Sequence, residues 1–165
     1  MELRNKKVMY QSGVDDAIMV GMFTNQGLDR KDFKFVPHTF KNDALLTGYA
    51  DAMSAYMGNQ TYFYKKLGHR LNIINPANYG LDFYGDMLFT SEEYFLKHKA
   101  QSLAFKQATI KGWKYALEHP EEAVDLILAK YSTKKTRDAL LHESKYARSM
   151  IAHNLIELGE VNRYR

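Results

Sequence analysis

The stretch YGLDFYGDMLFTSEE, Tyr79–Glu93, divides the chain into two parts with different sequence patterns. Short apolar runs alternate with helical patterns before it, whereas helical patterns continue almost to the end after it. Its first nine residues combine three aromatic side chains, two aspartates and two glycines. This pattern leaves three interpretations open: a ligand-facing loop, an active-site loop, or a buried turn between two halves of a fold.

The part before this stretch has the strand and helix order of a parallel sheet. Its strand candidates are the apolar runs Lys7–Tyr10, Phe33–Val36, Asp51–Tyr56 and Leu71–Asn75. Three helical patterns lie between them. The first is Val14–Gln26, which ends before Gly27 and has Val14, Ala17, Ile18 and Met22 on one face. The second is a short helix capped by Asn42 and ended by Gly48, and the third is Gln60–Leu67, which ends before Gly68. This alternation predicts an α/β fold, with a mainly parallel sheet and helices on both faces.

The part after the stretch is predominantly helical. Its predicted elements are a strand at Met87–Phe89, a capping box from Thr90 to Glu93, a helix with Leu103, Ile110, Trp113 and Leu117 on one stripe, a helix from Pro120 to about Tyr131, and a helix from about Lys134 to Leu158. Because apolar stripes must be buried, these helices resemble the coat of a second sheet whose strands are mostly missing. Three interpretations stay open: the chain is a fragment, a partner supplies the missing strands, or the helices form a helical bundle without a sheet.

The composition excludes several kinds of site. The chain has 165 residues, a formal net charge of +4 and no cysteine, so disulfides and thiolate nucleophiles or metal ligands are excluded. The charge forms no basic block, which predicts no nucleic-acid partner. The histidines are scattered without metal-ligand spacing, and we predict no metal or other cofactor. We expect neither a membrane span nor a signal peptide, because no apolar run is long enough.

The turn after the first predicted strand is one candidate ligand-binding segment. Ser12 and Gly13 lie between that strand and a helix, where backbone N–H groups favour an anion. The glycine spacing and lysine of a phosphate-binding loop are absent. Asp15 and Asp16 would repel an anion and also fit a simpler role as acids in the first helical turn.

A second candidate segment follows the third predicted strand. Tyr56, Asn59 and Gln60 lie there, and the carboxyl ends of strands line the ligand crevice in open α/β sheets. Local capping by the asparagine is the alternative interpretation. Asp82 and Asp86 are a further pair of polar candidates, but their spacing does not place them together as acid and base.

Three segments of the chain resemble a known family. DALLTGYADAMSAYMGNQ, NPANYGLDFYGDMLFTSEEYF and KGWKYALEHPEEAVDLILAKY are similar to the thiamine-pyrimidine-synthesis-like (no-message-in-thiamine) substrate-binding proteins. These are relatives of the nitrate, sulfonate and taurine binding proteins of ABC importers. The joint occurrence of Asp-Phe-Tyr-Gly-Asp-x-Leu-Phe-Thr and Gly-Trp-x-Tyr-Ala-Leu carries the resemblance, which runs from about Lys7 to Ile151.

The resemblance implies a type II-like periplasmic binding fold, in which two lobes close on a small ligand. Residues 1–80 match the α/β second lobe, and residues 81–165 match the crossover and the helical part of the first lobe, whose N-terminal strands have no counterpart here. The resemblance also implies a periplasmic location. The partners it implies are a membrane-bound transporter, or the output domain of a histidine kinase or diguanylate cyclase.

The main functional hypothesis is therefore a non-catalytic module that binds or senses a small molecule. A pyrimidine-like heterocycle or a small anion is the expected ligand, stacked on tyrosines and oriented by polar groups. The expected ligand-binding residues are Ser12, Gly13, Tyr56, Asn59, Gln60, Tyr79, Asp82, Tyr84 and Asp86.

Departures from the family pattern define the alternatives. Where relatives typically read Thr-Asn-Glu-Pro, this chain reads Gly58-Asn59-Gln60-Thr61, and an amide in place of a carboxylate points to a different ligand. The fungal branch that synthesises the thiamine pyrimidine uses a cysteine-rich motif, so the absence of cysteine disfavours the enzyme alternative. A third hypothesis is an incomplete module that forms homo-oligomers through uncovered helix faces.

Overall fold

The computed structural model describes residues 3–11, 17–85, 87–151 and 157–161. The strands are β1 Lys7–Tyr10, β2 Lys34–Pro37 and β3 Ala52–Met53, and the α-helices are α1 Ala17–Asn25, α2 Gln60–Lys66, α3 Glu92–Lys97, α4 Lys99–Glu118, α5 Pro120–Lys130 and α6 Arg137–Ile151. Short 3-10 turns occupy Arg30–Asp32 and Pro76–Tyr79. The chain forms two compact units: a sheet unit of Met1–Tyr56 with Gln60–Phe83, and a helical unit of Met57–Asn59 with Tyr84–Arg165.

The sheet is parallel, as the sequence predicted. Its order is β2-β1-β3, with Val8 opposite Phe35 and Ala52, and Met9 opposite Val36 and Met53. Successive residues of a strand point to opposite faces, so Val8 faces one side of the sheet and Met9 the other. Both are almost completely buried, at 1% and 0% exposed, so each face carries its own core.

Helix α1 covers the face of Val8. Its buried residues are Met19, Met22 and Phe23, and the Phe23 ring stacks on Phe33 with centroids 4.2 Å apart. The predicted buried face was wrong at Ile18, which is 39% exposed, because the helix packs through the stripe that begins one residue later. Ala17 is also exposed, and Val14 lies outside the described residues.

The predicted end of this helix at Gly27 is confirmed. Gly27 has φ +66°, and the N–H of Leu28 donates to the carbonyl of Phe23 while the N–H of Gly27 donates to that of Thr24. These two bonds form a Schellman motif, which requires the left-handed conformation that glycine adopts without steric cost. Gly68 ends α2 in the same way, with φ +79°.

Turns cover the face of Met9, where a helix had been predicted after Asn42. The N–H groups of Leu46 and Thr47 both donate to the carbonyl of Asp43, and the chain then reverses direction. The N–H of Ala50 donates to the carbonyl of Ala44, which brings two small buried residues against Met9. The prediction of a helix was wrong because this return to β3 leaves room for only about one helical turn.

Tyr64 of α2 completes this core. Its side chain is 1% exposed, and its phenolic oxygen accepts the N–H of Leu45 at 3.4 Å and lies 3.9 Å from the sulfur of Met53. Burial raises the pKa of the phenol, so the group is neutral at physiological pH. Tyr64 therefore connects α2 to both the turn region and β3.

Two predicted strands are absent from the described part of the chain, and a third is shorter than predicted. Residues 71–75 and 87–89 are not in strands, and β3 spans only Ala52–Met53 within the predicted Asp51–Tyr56. Asn75 instead caps a 3-10 turn by accepting the N–H of Ala77. Phe89 is 88% exposed. The prediction of these two strands was wrong because an apolar run does not specify a pairing partner.

The helical unit begins with α3, whose N-cap is Ser91. The Ser91 Oγ accepts the N–H of Tyr94 at 3.1 Å, so the predicted cap at Thr90 was wrong by one residue. Pro120 opens α5 as predicted. Helix α6 is joined to α5 by Arg137, which donates to both carboxylate oxygens of Asp125 and lowers the pKa of that carboxyl group.

The apolar stripe of α4 is only partly covered within the described residues. Leu117 is buried and Ile110 half-buried, but Leu103 and Trp113 are 42% and 48% exposed. Val124 of α5 packs among the buried side chains of this unit. No helix in the described part of the chain is both long enough and apolar enough to cross a membrane.

Candidate functional site

Three loops leave the carboxyl edge of the sheet. Because the strands are parallel, their ends at Tyr10, Pro37 and Met53 lie at the same edge. The chain continues from these ends into Gln11, His38–Phe40 and Ser54–Tyr56. This is the edge at which open α/β sheets bind ligands, so the candidate site is built from these loops.

The structure brings together Tyr56 and Gln60 of the predicted site. The N–H of Tyr56 donates to the Oε1 of Gln60 at 2.9 Å, and the Tyr56 side chain is 71% exposed. A backbone N–H can bond only to the oxygen end of an amide, so this contact fixes the orientation of the Gln60 side chain. The other end, Nε2, is a donor and suits a ligand that presents an acceptor.

Asn59 belongs to the short segment Met57–Asn59, which the chain contributes to the helical unit. Its neighbour Gly58 is buried, and a Cβ at Gly58 would lie 3.1 Å from the Cα of Glu143 and 3.3 Å from the Cβ of Tyr146. Both atoms are fixed to the backbone of α6, so a side chain at this position would require α6 to shift by a few tenths of an ångström. Asn59 is half-buried beside that contact.

The predicted residues of the stretch around Tyr79 have mixed environments. Tyr79 is half-buried against the core under α1, and its carbonyl accepts the Nδ2 of Asn25 at 3.1 Å. Asp82 is exposed in the same unit, whereas Tyr84 is half-buried in the helical unit. The remaining predicted residues, Ser12, Gly13 and Asp86, lie outside the described residues.

The sequence reasoning missed the loop His38–Phe40. The Phe40 ring is 75% exposed, and its backbone has φ +59°, which is rare for a residue other than glycine. The Nδ1 of His38 accepts the N–H of Phe40 at 2.9 Å. The rule that was applied to the end of the third strand would have found this loop if it had also been applied at Pro37.

An open depression of about 380 Å³ lies elsewhere in the sheet unit. The Arg30 guanidinium beside it lies 5.1 Å from the ring centroid of Phe35 and 5.6 Å from that of Tyr10. Its lining residues are Val20, Phe23, Thr24, Gly27, Leu28, Asp29, Arg30 and Phe35. None of the predicted site residues is among them, and half of the lining belongs to the connection between α1 and β2, so we do not place the candidate site there.

No group of three histidine, aspartate or glutamate side chains in the described ranges is arranged to hold a metal ion. The side chains of the candidate site are instead aromatic rings, amides and a carboxylate. These groups bind organic ligands through stacking and hydrogen bonds.

The fold defines a class of protein before any relative is considered. It is a mixed α/β chain with a parallel sheet and helices, consistent with part of a periplasmic-binding-type fold, as predicted. The sequence model of the family described as NMT1/THI5 like matches residues 1–123, and the chain therefore belongs to this family. The family resemblance inferred from the sequence segments is thus confirmed.

The chain is similar to a protein of Halalkalibacterium halodurans that is named formylaminopyrimidine-binding protein. It is 28% identical to this chain over 118 residues, an alignment that covers 70% of this chain and 36% of the relative. The chain thus spans little more than a third of the length of this relative.

Proposed function

We propose that the chain is a non-catalytic module, or part of one, that binds a small pyrimidine-like heterocycle. The observation that carries this proposal is the match over 118 residues to a protein named for binding a formylaminopyrimidine. The same name supports a binding role over an enzymatic one. By the same family relationship, the module works outside the cytoplasm, in solute transport or in sensing.

The geometry at the sheet edge supports a ligand that is both planar and hydrogen-bonding. Tyr56 offers an exposed ring, and Gln60 offers an amide whose oxygen is already bonded to the backbone. A ring nitrogen or a formyl oxygen can accept from the Nε2 of Gln60. Within the sheet unit, Tyr79 and Asp82 are proposed as further ligand-binding residues. The other predicted ligand-binding residues, Ser12, Gly13, Asn59, Tyr84 and Asp86, stay predictions that rest on the family resemblance. A transporter, an output domain and a second copy of the chain are the partners we propose.

A thermal-shift screen tests the binding role. We expect a pyrimidine or thiamine precursor to raise Tm, and a ligand at 100 times its Kd stabilises the folded state by about 2.7 kcal/mol. For a chain of this size, that corresponds to a rise of about 5–10 °C. Nitrate, sulfonates and amino acids serve as comparison ligands. Replacing Tyr84 with Ala is expected to abolish the shift. If no pyrimidine raises Tm, the proposal is wrong.

The Gln60→Glu substitution tests the donor role of Gln60. One carboxylate oxygen can still accept the N–H of Tyr56, but the second oxygen accepts instead of donating. We therefore expect the affinity for the pyrimidine that raises Tm in the screen to fall about tenfold, equivalent to about 1.4 kcal/mol.

The matched control is Gln107→Glu, which introduces the same charge on the exposed surface of α4. We expect this variant to bind as the wild type does. Equal affinities of the wild type and the Gln60→Glu variant, measured by calorimetric titration, would remove Gln60 from the site.

A further inference from the structure

Phe40 follows one outer strand of the sheet at the position that Tyr56 occupies after the other outer strand. Each lies three residues beyond the end of its strand, Phe40 after Pro37 of β2 and Tyr56 after Met53 of β3. These two strands flank β1, so their axes are separated by about 10 Å. Both rings are largely exposed, at 75% and 71%.

The loop that carries Phe40 is fixed at its start and in its middle. The hydroxyl of Tyr49 donates to the carbonyl of Pro37 at 3.0 Å. The Oγ1 of Thr39 lies 3.8 Å from the sulfur of Met9, which is fully buried, and accepts the N–H of Lys41 at 3.3 Å. The loop is therefore anchored to the core and does not depend on the exposed ring for its conformation.

His38 fixes the backbone of Phe40 in its unusual conformation. Its Nδ1 accepts the N–H of Phe40, and the two rings lie 4.5 Å apart at an interplanar angle of 56°. A positive φ in a bulky residue costs free energy and persists where the surrounding structure holds it, which is a feature of binding sites. An exposed aromatic ring on a fixed backbone, in contact with a neighbouring ring, loses less conformational entropy when a ligand stacks on it than a ring on a mobile loop.

We propose that Phe40, held by His38, is a stacking surface for the ring of a planar heterocycle at the carboxyl edge of the sheet. The inference rests on the proposed function and adds how the site would select a heterocycle over a small anion. A site with exposed aromatic rings on both flanking loops recognises a heterocycle through its faces, whereas a small anion such as nitrate gains little from stacking. Phe40 is thus a specificity-determining residue, and His38 is a positioning residue that acts through it.

Substitutions of Phe40 test the stacking role. Phe40→Gly removes the ring but keeps the left-handed backbone accessible, so folding is preserved even if Phe40→Ala is strained. We expect either variant to weaken the binding of a formylaminopyrimidine about tenfold, which corresponds to about 1.4 kcal/mol. Phe40→Trp should stay within about threefold of wild type, because a larger ring also stacks. Phe89→Ala, which removes a ring that is 88% exposed in the helical unit, should bind like the wild type.

Substitutions of His38 test the positioning role. An asparagine side chain also accepts the N–H two residues later, so His38→Asn should retain affinity while His38→Ala loses it. Wild-type affinity in the Phe40→Gly variant, or an equal loss in Phe89→Ala, would overturn the inference while leaving the proposed function intact. If the wild type binds no pyrimidine, the proposed function fails and the role of Phe40 falls with it.

Discussion

Replacing Tyr64 with Ala should lower the free energy of unfolding by about 3–5 kcal/mol, the usual cost of truncating a buried aromatic residue. Tyr64 is 1% exposed and is among the largest fully buried side chains of the described residues. Its loss leaves a cavity beside Leu45 and Met53, which themselves pack against the buried core around Met9. Chemical denaturation followed by circular dichroism measures the change.

The Tyr64→Phe variant is the control that separates the ring from its hydroxyl. Only the bond from the N–H of Leu45 and the contact with the sulfur of Met53 are lost. We expect a loss of about 0.5–1.5 kcal/mol, the typical net contribution of one hydrogen bond. If Tyr64→Ala were no more destabilising than Tyr64→Phe, the packing described for this face of the sheet would be incorrect.

Replacing Gly58 with Ala should destabilise the helical unit by about 1–3 kcal/mol, the typical cost of overpacking. The new Cβ would lie 3.1 Å from the Cα of Glu143 and 3.3 Å from the Cβ of Tyr146, and neither atom can move without moving α6. Helix α6 is itself held in place, since Lys135 pairs with Glu143 at 2.5 Å. We expect faster amide hydrogen exchange in Met57–Asn59 and in α6.

Two other glycines provide matched controls for Gly58. A Cβ at Gly85 or Gly112 would meet no atom within 4 Å, and neither residue has a positive φ. Gly112 lies within α4, so Gly112→Ala should stabilise the chain by up to about 1 kcal/mol through helix propensity. If Gly58→Ala behaved like Gly112→Ala, the close approach to α6 would be refuted.

Elements with local signals were predictable from the sequence. The first strand, the helix end at Gly27 and the helix start at Pro120 each depend on a few neighbouring residues whose backbone preferences are strong. The cap of α3 shows the limit of such signals. Thr90 and Ser91 are both good caps, and their residue types alone do not decide between them.

Pairing between distant strands was not predictable in the same way. Leu71–Asn75 and Met87–Phe89 have the composition of strands, but neither pairs with a strand among the described residues. A strand needs a neighbour at the right edge, and the apolar pattern of one segment carries no information about that neighbour. The buried face of α1 was also not fully predictable, because the helix packs through a stripe that begins one residue later than the predicted one.

The candidate site was predictable in part. The rule that ligands bind at the carboxyl ends of parallel strands identified Tyr56 and Gln60, which the structure joins by a hydrogen bond. The same rule applied at Pro37 would have identified the loop of Phe40, but the positive φ of Phe40 is too rare for a phenylalanine to be predicted from sequence. Its conformation depends on His38 and on the turn, and these contacts form only in the fold.

Direct titration of the folded chain with a formylaminopyrimidine, followed by calorimetry, tests the central claim that the chain binds a heterocycle. We predict saturable binding with one site per chain, weakened in the Phe40→Gly and Gln60→Glu variants and unchanged in Phe89→Ala. A chain that melts cooperatively but shows no saturable heat with any pyrimidine would contradict the claim.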